Sequence, residues 1–460
     1  MEDTKKILGA VTINPTIIQE VNNEVKNIAD FKKKVEQYLT GETTSLLDII
    51  LFSAIALGSS DIHIEPEEKS SRLRVRLDGV LQDVIFFEQN IYHNIVSRLK
   101  LLSKLKLNIK DKPQDGRFTI AIDDPSTNSE QVLLIEMRAS SLPAEYGESI
   151  VMRILDPRNL IALDALGLRK DLAEIFEKEI NKPNGMIIVT GPTGSGKTTT
   201  LYAFLMKIQN PEIKTITIED PIEYHLKGVS QTQVAPEKGY DFSDGLRSIV
   251  RQDPDVILVG EIRDLETAKI SLQASLTGHL VLSTLHTNDA AGTIPRLVDL
   301  GADPASIASG LKMAIAQRLV RKVCKKCSIT KKPSATELAE LEKGLANLYR
   351  QGRVSSPTIA VEAGPKNIEI PDIKKVKIAE IKSGGCEACN FTGYKGRRGL
   401  YEAFLVDSEM ERFILTNPPV SDVKQLAIKK GMITMWQSGL IDIALGNTTF
   451  EEVRRVVEEE

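Results

Sequence analysis

Residues Gly191–Thr198 read G-P-T-G-S-G-K-T, and their setting constrains the fold more than any other stretch of the chain. A short apolar run, Gly185 to Thr190, precedes them, and Thr199 to Ile208 has helix-forming character. Strand, glycine-rich turn and helix in that order form the arrangement in which a backbone wraps an anion. The glycines keep Cβ atoms out of the turn, and the N–H groups of the first helical turn, reinforced by the helix dipole, point at the phosphates. Gly191, Pro192, Thr193, Gly194, Ser195, Gly196, Lys197, Thr198 and Thr199 are therefore the expected nucleotide-binding residues. Lys197 is expected to reach the β- and γ-phosphates and the Thr198 hydroxyl to ligate Mg²⁺.

With 460 residues the chain can hold two or three domains, each with its own core. A formal net charge of -4 and a pI near 6.0 argue against wholesale nucleic-acid binding. The N-terminus has no apolar signal core, and the densest apolar run, Leu46 to Leu57, contains Asp48 and is too short to span a bilayer. A cytoplasmic protein is expected. Residues 1–42, with the charged run Asp30 to Glu36, read as an N-terminal arm, one loosely docked helix or a partly mobile segment.

Ser45 is expected to cap an amphipathic helix that runs to Leu57 and closes at Gly58. Beyond it Leu73, Val75 and Leu77 alternate with Arg72, Arg74 and Arg76, and Asp78-Gly79 is a hairpin turn into Val80 to Phe87. A helix from Gln89 to about Leu105 and strands over 117–122, 132–138 and 149–155 complete an α+β domain, residues 43–160, with a mostly antiparallel sheet. From Asp164 the pattern becomes α/β: strands at 186–189, 215–218, 256–259 and 280–284 alternate with helices, as in a parallel sheet covered on both faces. That core spans 161–320, a cysteine-containing region 321–398, and a helical region 399–460.

Polar groups collect at the ends of these strands. Thr217 to Glu223 reads T-I-E-D-P-I-E, three carboxylates leaving a strand, of which Glu223 is a plausible base or orienter for an attacking water. Val256 to Glu261 is an apolar strand ending in an acid. Gly278 to Asp289 places His279 and His286 at opposite ends of another strand, and either histidine taken singly reads as a cap or core residue. Arg247 and Arg251 are four apart on one helix face, which by spacing alone reads as a solvated face. All four cysteines fall in two C-x-x-C pairs, Cys324 with Cys327 and Cys386 with Cys389, the spacing of one closed tetrahedral Zn²⁺ site. Arg318, Arg321, Lys322, Lys325 and Lys326 surround the first pair as a basic cluster.

In order, the P-loop, T-I-E-D-P-I-E, L-R-S-I-V-R-Q-D-P-D-V-I-L-V-G-E-I-R-D and T-G-H-L-V-L-S-T-L-H-T-N-D resemble the Walker A, Asp-box, Walker B and His-box segments of the hexameric traffic ATPases of type II secretion and type IV pili. The resemblance runs from about residue 45 to the end of the chain. It implies a RecA-like P-loop core, a smaller PAS-like α+β domain before it, a tetracysteine zinc insert and C-terminal helices. It also implies hydrolysis of ATP with Mg²⁺, with Glu223 as catalytic glutamate, Glu261 holding Mg²⁺ through water beside Thr198, and His279 and His286 as the His-box pair. Arg247 and Arg251 match nucleotide-contacting arginines, and Arg138 and Arg153 match arginines that the N-terminal module of the family closes over the nucleotide. The implied partners are further copies of the chain in a homo-hexamer and, at the inner membrane, a platform protein of a pilus or secretion complex.

Assembly and secretion members of that family carry the tetracysteine insert, whereas retraction members generally lack it, so the cysteines point to pilus assembly or export. A nucleic-acid translocase or DNA-uptake motor is the alternative that zinc and the basic cluster suggest, and a scaffold without hydrolysis is a third. Two departures from the family stand out. The stretch Ser328 to Gly385 is long, with Val361 to Lys382 aperiodic, and reads as a peripheral insertion. Only residues 1–42 precede the first domain, so docking through a further N-terminal domain, or regulation there by a cyclic dinucleotide, is not expected.

Overall fold

The computed structural model describes residues 10–123, 132–350, 372–382 and 384–459. The chain forms two compact units: the first holds residues 1–159, 324–327 and 382–395, the second 160–323, 328–381 and 396–460.

The first unit runs β1 (Ala10–Thr12), α1 (Pro15–Glu24), α2 (Ile28–Tyr38), α3 (Thr43–Ala56), β2 (Asp61–Pro66), β3 (Ser71–Leu77), β4 (Val80–Phe87), α4 (Gln89–Leu102), β5 (Gln114–Ile122), β6 (Leu133–Ala144) and β7 (Gly147–Leu155). Its seven strands lie in the order β1-β5-β6-β7-β2-β3-β4, antiparallel except for β1 beside β5. Asp78 and Gly79 both have positive φ, the geometry that matches the twist of a two-residue hairpin.

Residues 10–38 are not a loose arm. Ile13, Ile17, Ile18, Val21, Phe31 and Val35 are buried in the same core as α3 and the sheet, and α1 and α2 pack on α3. This covering explains a second difference. Helix α3 is buried without a break from Leu46 to Ile55 rather than along one stripe, and it starts at Thr43 with Glu42 as N-cap, ahead of Ser45. Asp48, inside that run, accepts a hydrogen bond from the Asn14 backbone N–H at 3.4 Å, and burial raises its pKa.

On the sheet, Leu73, Val75 and Leu77 of β3 are buried and the intervening arginines are half-buried. Register brings charges into a row on that second face: Arg117 opposes Arg138, Arg138 opposes Arg153, Arg153 opposes Asp61, and Asp61 opposes Arg76.

In the second unit α5 (Lys170–Ile180), β8 (Gly185–Thr190), α6 (Lys197–Ile208), β9 (Thr215–Glu219), β10 (Ser230–Gln233), α7 (Phe242–Val250), β11 (Val256–Val259), α8 (Leu265–Leu276), β12 (Leu280–Leu285), α9 (Thr293–Asp299), α10 (Pro304–Gly310) and β13 (Leu311–Val323) follow one another. Then come β14 (Ser328–Lys331), α11 (Ala335–Arg350), β15 (Ile378–Ile381), β16 (Tyr394–Leu405), α12 (Ser408–Ile414), α13 (Val420–Lys429), α14 (Met435–Ala444) and α15 (Phe450–Arg454). The main sheet has the order β10-β9-β11-β12-β8-β13-β16 and is parallel from β10 through β13.

Every residue of β8 is buried. Met186 and Ile188 join one apolar cluster, and Ile187 and Val189 join another that includes Phe176 of α5 and Phe204 of α6. Crossover helices on both sides of a parallel sheet produce this two-sided burial. Strand β16 runs into the C-terminal stretch, 399–460, that reads as helices alone, and β13 is a further strand beside β8.

The long stretch between the cysteine pairs is built into this unit where it is described. Leu341, Leu345 and Leu348 of α11 are buried in one cluster with Trp436 and Leu440 of α14, and Gln437 Nε2 donates to the Gly344 carbonyl at 3.0 Å. Strands β14 and β15 pair as a short antiparallel ladder. Residues 361–371 of the aperiodic segment lie outside the described residues.

Candidate active site

The P-loop leaves the C-terminal end of β8, where Thr190 Oγ1 accepts from the Thr287 backbone N–H at 2.8 Å and so ties the strand end to the loop after β12. Two glycines are there for space as well as φ. A Cβ on Gly191 would lie 2.6 Å from the Gln317 carbonyl and 2.8 Å from Ser195 Oγ, and one on Gly196 2.8 Å from Gln317 Nε2. Gln317, on β13, is buried and accepts from Thr200 Oγ1 at 2.8 Å, which fixes the floor of the turn.

The turn fits a phosphate on two counts: no side chain can fill the cradle at Gly191 or Gly196, and Ser195 Oγ is buried without a hydrogen-bond partner. Lys197 Nζ meanwhile donates to the carbonyls of Gly191 at 2.7 Å and Pro192 at 3.1 Å. Its pKa is lowered, first by burial and further by Arg318, while Glu261 and Glu223 act in the opposite sense. Pro192, Thr193 and Gly194 form the exposed tip, and Thr198 and Thr199 are half-buried in the first turn of α6.

The carboxylates after β9 and β11 have different duties. Glu219 is buried, accepting from Thr217 Oγ1 at 2.6 Å, Gln231 Nε2 at 3.1 Å and Tyr202 Oη. Such a fully bonded acid braces the strand end. Glu223 is half-buried and electrostatically coupled to Lys197. Glu261 is held by Arg263 Nη2 at 2.5 Å and lies 3.5 Å from His286 Nε2, and Arg263 also reaches Asp220 at 3.9 Å. Lys197, Glu223, Glu261 and His286 thus converge at one end of the parallel sheet.

The other expected residues lie elsewhere. Parallel pairing sets Leu280 against Gly185 and Leu285 against Thr190, so His279 stands at the far end of β12 from the P-loop. There its Nδ1 is 2.9 Å from the Ala274 carbonyl at the end of α8. Arg247 pairs with Asp244 at 3.1 Å and with Glu266, and Arg251, the C-cap of α7, donates to Ser248 Oγ at 3.2 Å, none of them P-loop residues. Arg138 and Arg153 belong to the first unit: Arg153 Nε is 3.1 Å from Asp61 Oδ1 and Arg138 Nε 3.6 Å from Glu136 Oε1.

Arg263, Gln317 and Arg318 were not among the expected site residues. Arg263 had a legible signal, a cation two residues past the strand-ending acid. Gln317 and Arg318 had none, because β13 reads equally well as a helix. The basic cluster does not form one surface within a unit: Arg318, Arg321 and Lys322 belong to the second unit, Lys325 and Lys326 to the first.

The four cysteine sulfurs lie within 4.8 Å of one another. Cys324–Cys386 and Cys327–Cys389 are 3.8 Å apart and Cys386–Cys389 3.7 Å. A tetrahedral ion with metal–sulfur bonds of about 2.3 Å requires sulfurs about 3.8 Å apart, whereas a disulfide requires about 2.05 Å. Backbone N–H groups of Cys386 and Gly393 donate to Cys389 Sγ at 3.2 and 3.3 Å. Burial raises the pKa of that thiol, but these donors outweigh it and bring it down to about 7, suited to a thiolate ligand.

The family model described as "Type II/IV secretion system protein" matches residues 37–455. The chain belongs to that family. It is 38% identical over 449 residues to the type II secretion system protein E of Xanthomonas campestris pv. campestris, covering 96% of this chain and 72% of the relative. It is 37% identical over 437 residues to the type IV pilus assembly ATPase PilB of Myxococcus xanthus, covering 95% and 71%. Among solved structures, the pilus retraction motor PilT with bound ADP aligns with a TM-score of 0.56 at 26% identity over 90% of this chain and 97% of that one. The Legionella pneumophila ATPase DotB, at a TM-score of 0.60 and 20% identity over 89% and 94%, shares the fold. No helix among the described residues is long and apolar enough to cross a membrane.

Proposed function

We propose that this secretion-family protein hydrolyses ATP to ADP and phosphate and, as a cytoplasmic homo-hexamer, drives an inner-membrane platform protein in type IV pilus assembly or type II secretion. The observation that carries the reading is the convergence of Lys197, Glu223, Glu261 and His286 beside an anion cradle. Lys197 exchanges the P-loop carbonyls for the β- and γ-phosphates. Glu223 orients the attacking water and takes its proton, and Glu261, braced by Arg263 and His286, would hold Mg²⁺ through water together with the Thr198 hydroxyl. A bound Mg²⁺ neutralises phosphate charge. The remaining work is positioning, which the strand ends supply.

Comparing the ATP turnover of wild type with Glu223→Gln is the direct test. A drop of about 100-fold or more is expected, and equal, low rates in both proteins would leave only a nucleotide-dependent scaffold. The four-cysteine cage is read as a structural Zn²⁺ site, in keeping with an assembly or export motor. Metal analysis returning clearly less than one zinc per purified chain would remove that assignment.

A further inference from the structure

Arg318 stands in sequence with Arg321, Lys322, Lys325 and Lys326, yet β13 sends it to a different place. Arg321 is neutralised by the buried Glu452 at 2.7 Å, and Lys322, Lys325 and Lys326 are exposed. Arg318 is half-buried, donating from Nη2 to the Asn288 carbonyl at 2.6 Å and from Nη1 to the Gln317 carbonyl at 3.1 Å. Among the described residues no carboxylate forms an ion pair with it. Burial accordingly lowers its pKa, with Glu402 and Asp289 compensating only through longer-range attraction.

The position of this cation is the telling part. Its Nη1 lies 3.1 Å from the point that a Cβ on Gly191 would occupy, and Ser195 Oγ lies 2.8 Å from the same point. A guanidinium without an ion-pair partner among the described residues and a buried hydroxyl without a hydrogen-bond partner therefore meet at the first glycine of the P-loop, beside Lys197, whose protonated form Arg318 disfavours. Two neighbouring cations held partly out of water are costly until an anion joins them. A guanidinium suits phosphate because it can bridge two acceptors at once.

We propose that Arg318 is a second phosphate-binding cation of the nucleotide site, supplied by β13 of the same chain, and that its guanidinium exchanges the Asn288 carbonyl for a phosphate oxygen. This rests on the ATPase reading above. Asn288 lies two residues past His286, so the exchange also reports an occupied P-loop to the loop that carries His286.

The test is calorimetric titration of the full chain with Mg-ADP, together with melting curves with and without nucleotide, for wild type, Arg318→Gln, Arg318→Lys and Lys197→Ala. Arg318→Gln should weaken ADP about tenfold, the loss of one charge-assisted hydrogen bond. Arg318→Lys, which keeps the charge without the fork, should fall between Gln and wild type and carries the test alone if the Gln variant does not fold. The nucleotide-free melting temperature should not drop, because the Gln substitution removes an unpaired charge. Unchanged ADP affinity in both Arg318 variants, or a lower nucleotide-free melting temperature with an unchanged rise on adding ADP, would overturn the proposal. Lys197→Ala separates the two readings. If it binds ADP as wild type does, the P-loop reading fails; if it loses ADP while the Arg318 variants keep it, only the role of Arg318 fails.

Discussion

The central strands of the second unit's sheet, β8, β9, β11 and β12, are buried on both faces, whereas the sheet of the first unit is apolar on one face and charged on the other. In β8 all residues are buried, and neighbours such as Ile187 and Ile188 enter different apolar clusters. In β3 each buried residue alternates with an arginine. Topology causes the difference: parallel strands need crossovers, whose helices cover both faces, while hairpins need none. Chemistry follows from it. A sheet covered on both sides offers polar groups chiefly beyond its strand ends, where Gly191, Glu223, Glu261 and His286 are found, or from a strand such as β13 that runs on past its neighbour. A sheet with one polar face carries them in mid-strand, and the row of Arg117, Arg138, Arg153, Asp61 and Arg76 does so.

If the mid-strand arginines serve the reaction as the family resemblance implies, Arg153→Ala or Arg138→Ala should lower kcat by about 100-fold or more with a much smaller change in nucleotide affinity. Equal losses in both quantities, measured by steady-state kinetics and titration, would make the polar face a binding surface only. A smaller effect tests the burial contrast itself. Ile187→Ala and Ile188→Ala should each cost about 2–5 kcal/mol in denaturant unfolding, since both faces of β8 are packed. On β3 a buried position such as Val75→Ala should cost about 2 kcal/mol or more, and its neighbour Arg74→Ala, which loses the 2.5 Å pair with Glu65, about 1 kcal/mol or less. Comparable costs for Val75 and Arg74 would break the comparison.

Much of this was legible from local pattern. The strand before the P-loop, the strands beginning at Thr215, Val256 and Leu280, and the Asp78-Gly79 hairpin all announce themselves through apolar runs or turn residues, and the structure forms each of them. Strand β13 was not legible, because Leu311 to Val323 carries good helix formers and only its place beside β8 makes it a strand. The same tertiary override hides the burial of α1 and α2, whose residues read as one loosely docked helix or a partly mobile segment until α3 is seen to need covering on its outer side. In the site, Lys197 was named from the P-loop motif, Glu223 and Glu261 from strand ends and His286 from the family resemblance, and the structure brings the four together. His279 was named as the partner of His286, but a strand places its two ends about 20 Å apart when it is six residues long. Arg318 was read as one of five similar charges, since no linear pattern shows which of them points back at the P-loop.

The first unit draws its parts from both sides of the second along the chain, and this has a consequence for synthesis. Cys324 and its cage partner Cys386 are 62 residues apart in sequence. At about 5–20 residues per second, a ribosome needs roughly 3–12 s to travel between them. During that interval the nascent chain carries Cys324 and Cys327 as a bare dithiol, and Asn390, whose side-chain carbonyl accepts from the Ile28 backbone N–H at 2.7 Å, has not yet been made. The unit that begins at the N-terminus is therefore not complete until residues 382–395 have been made, after most of the second unit, and metal supply and thiol protection during translation bear on its yield.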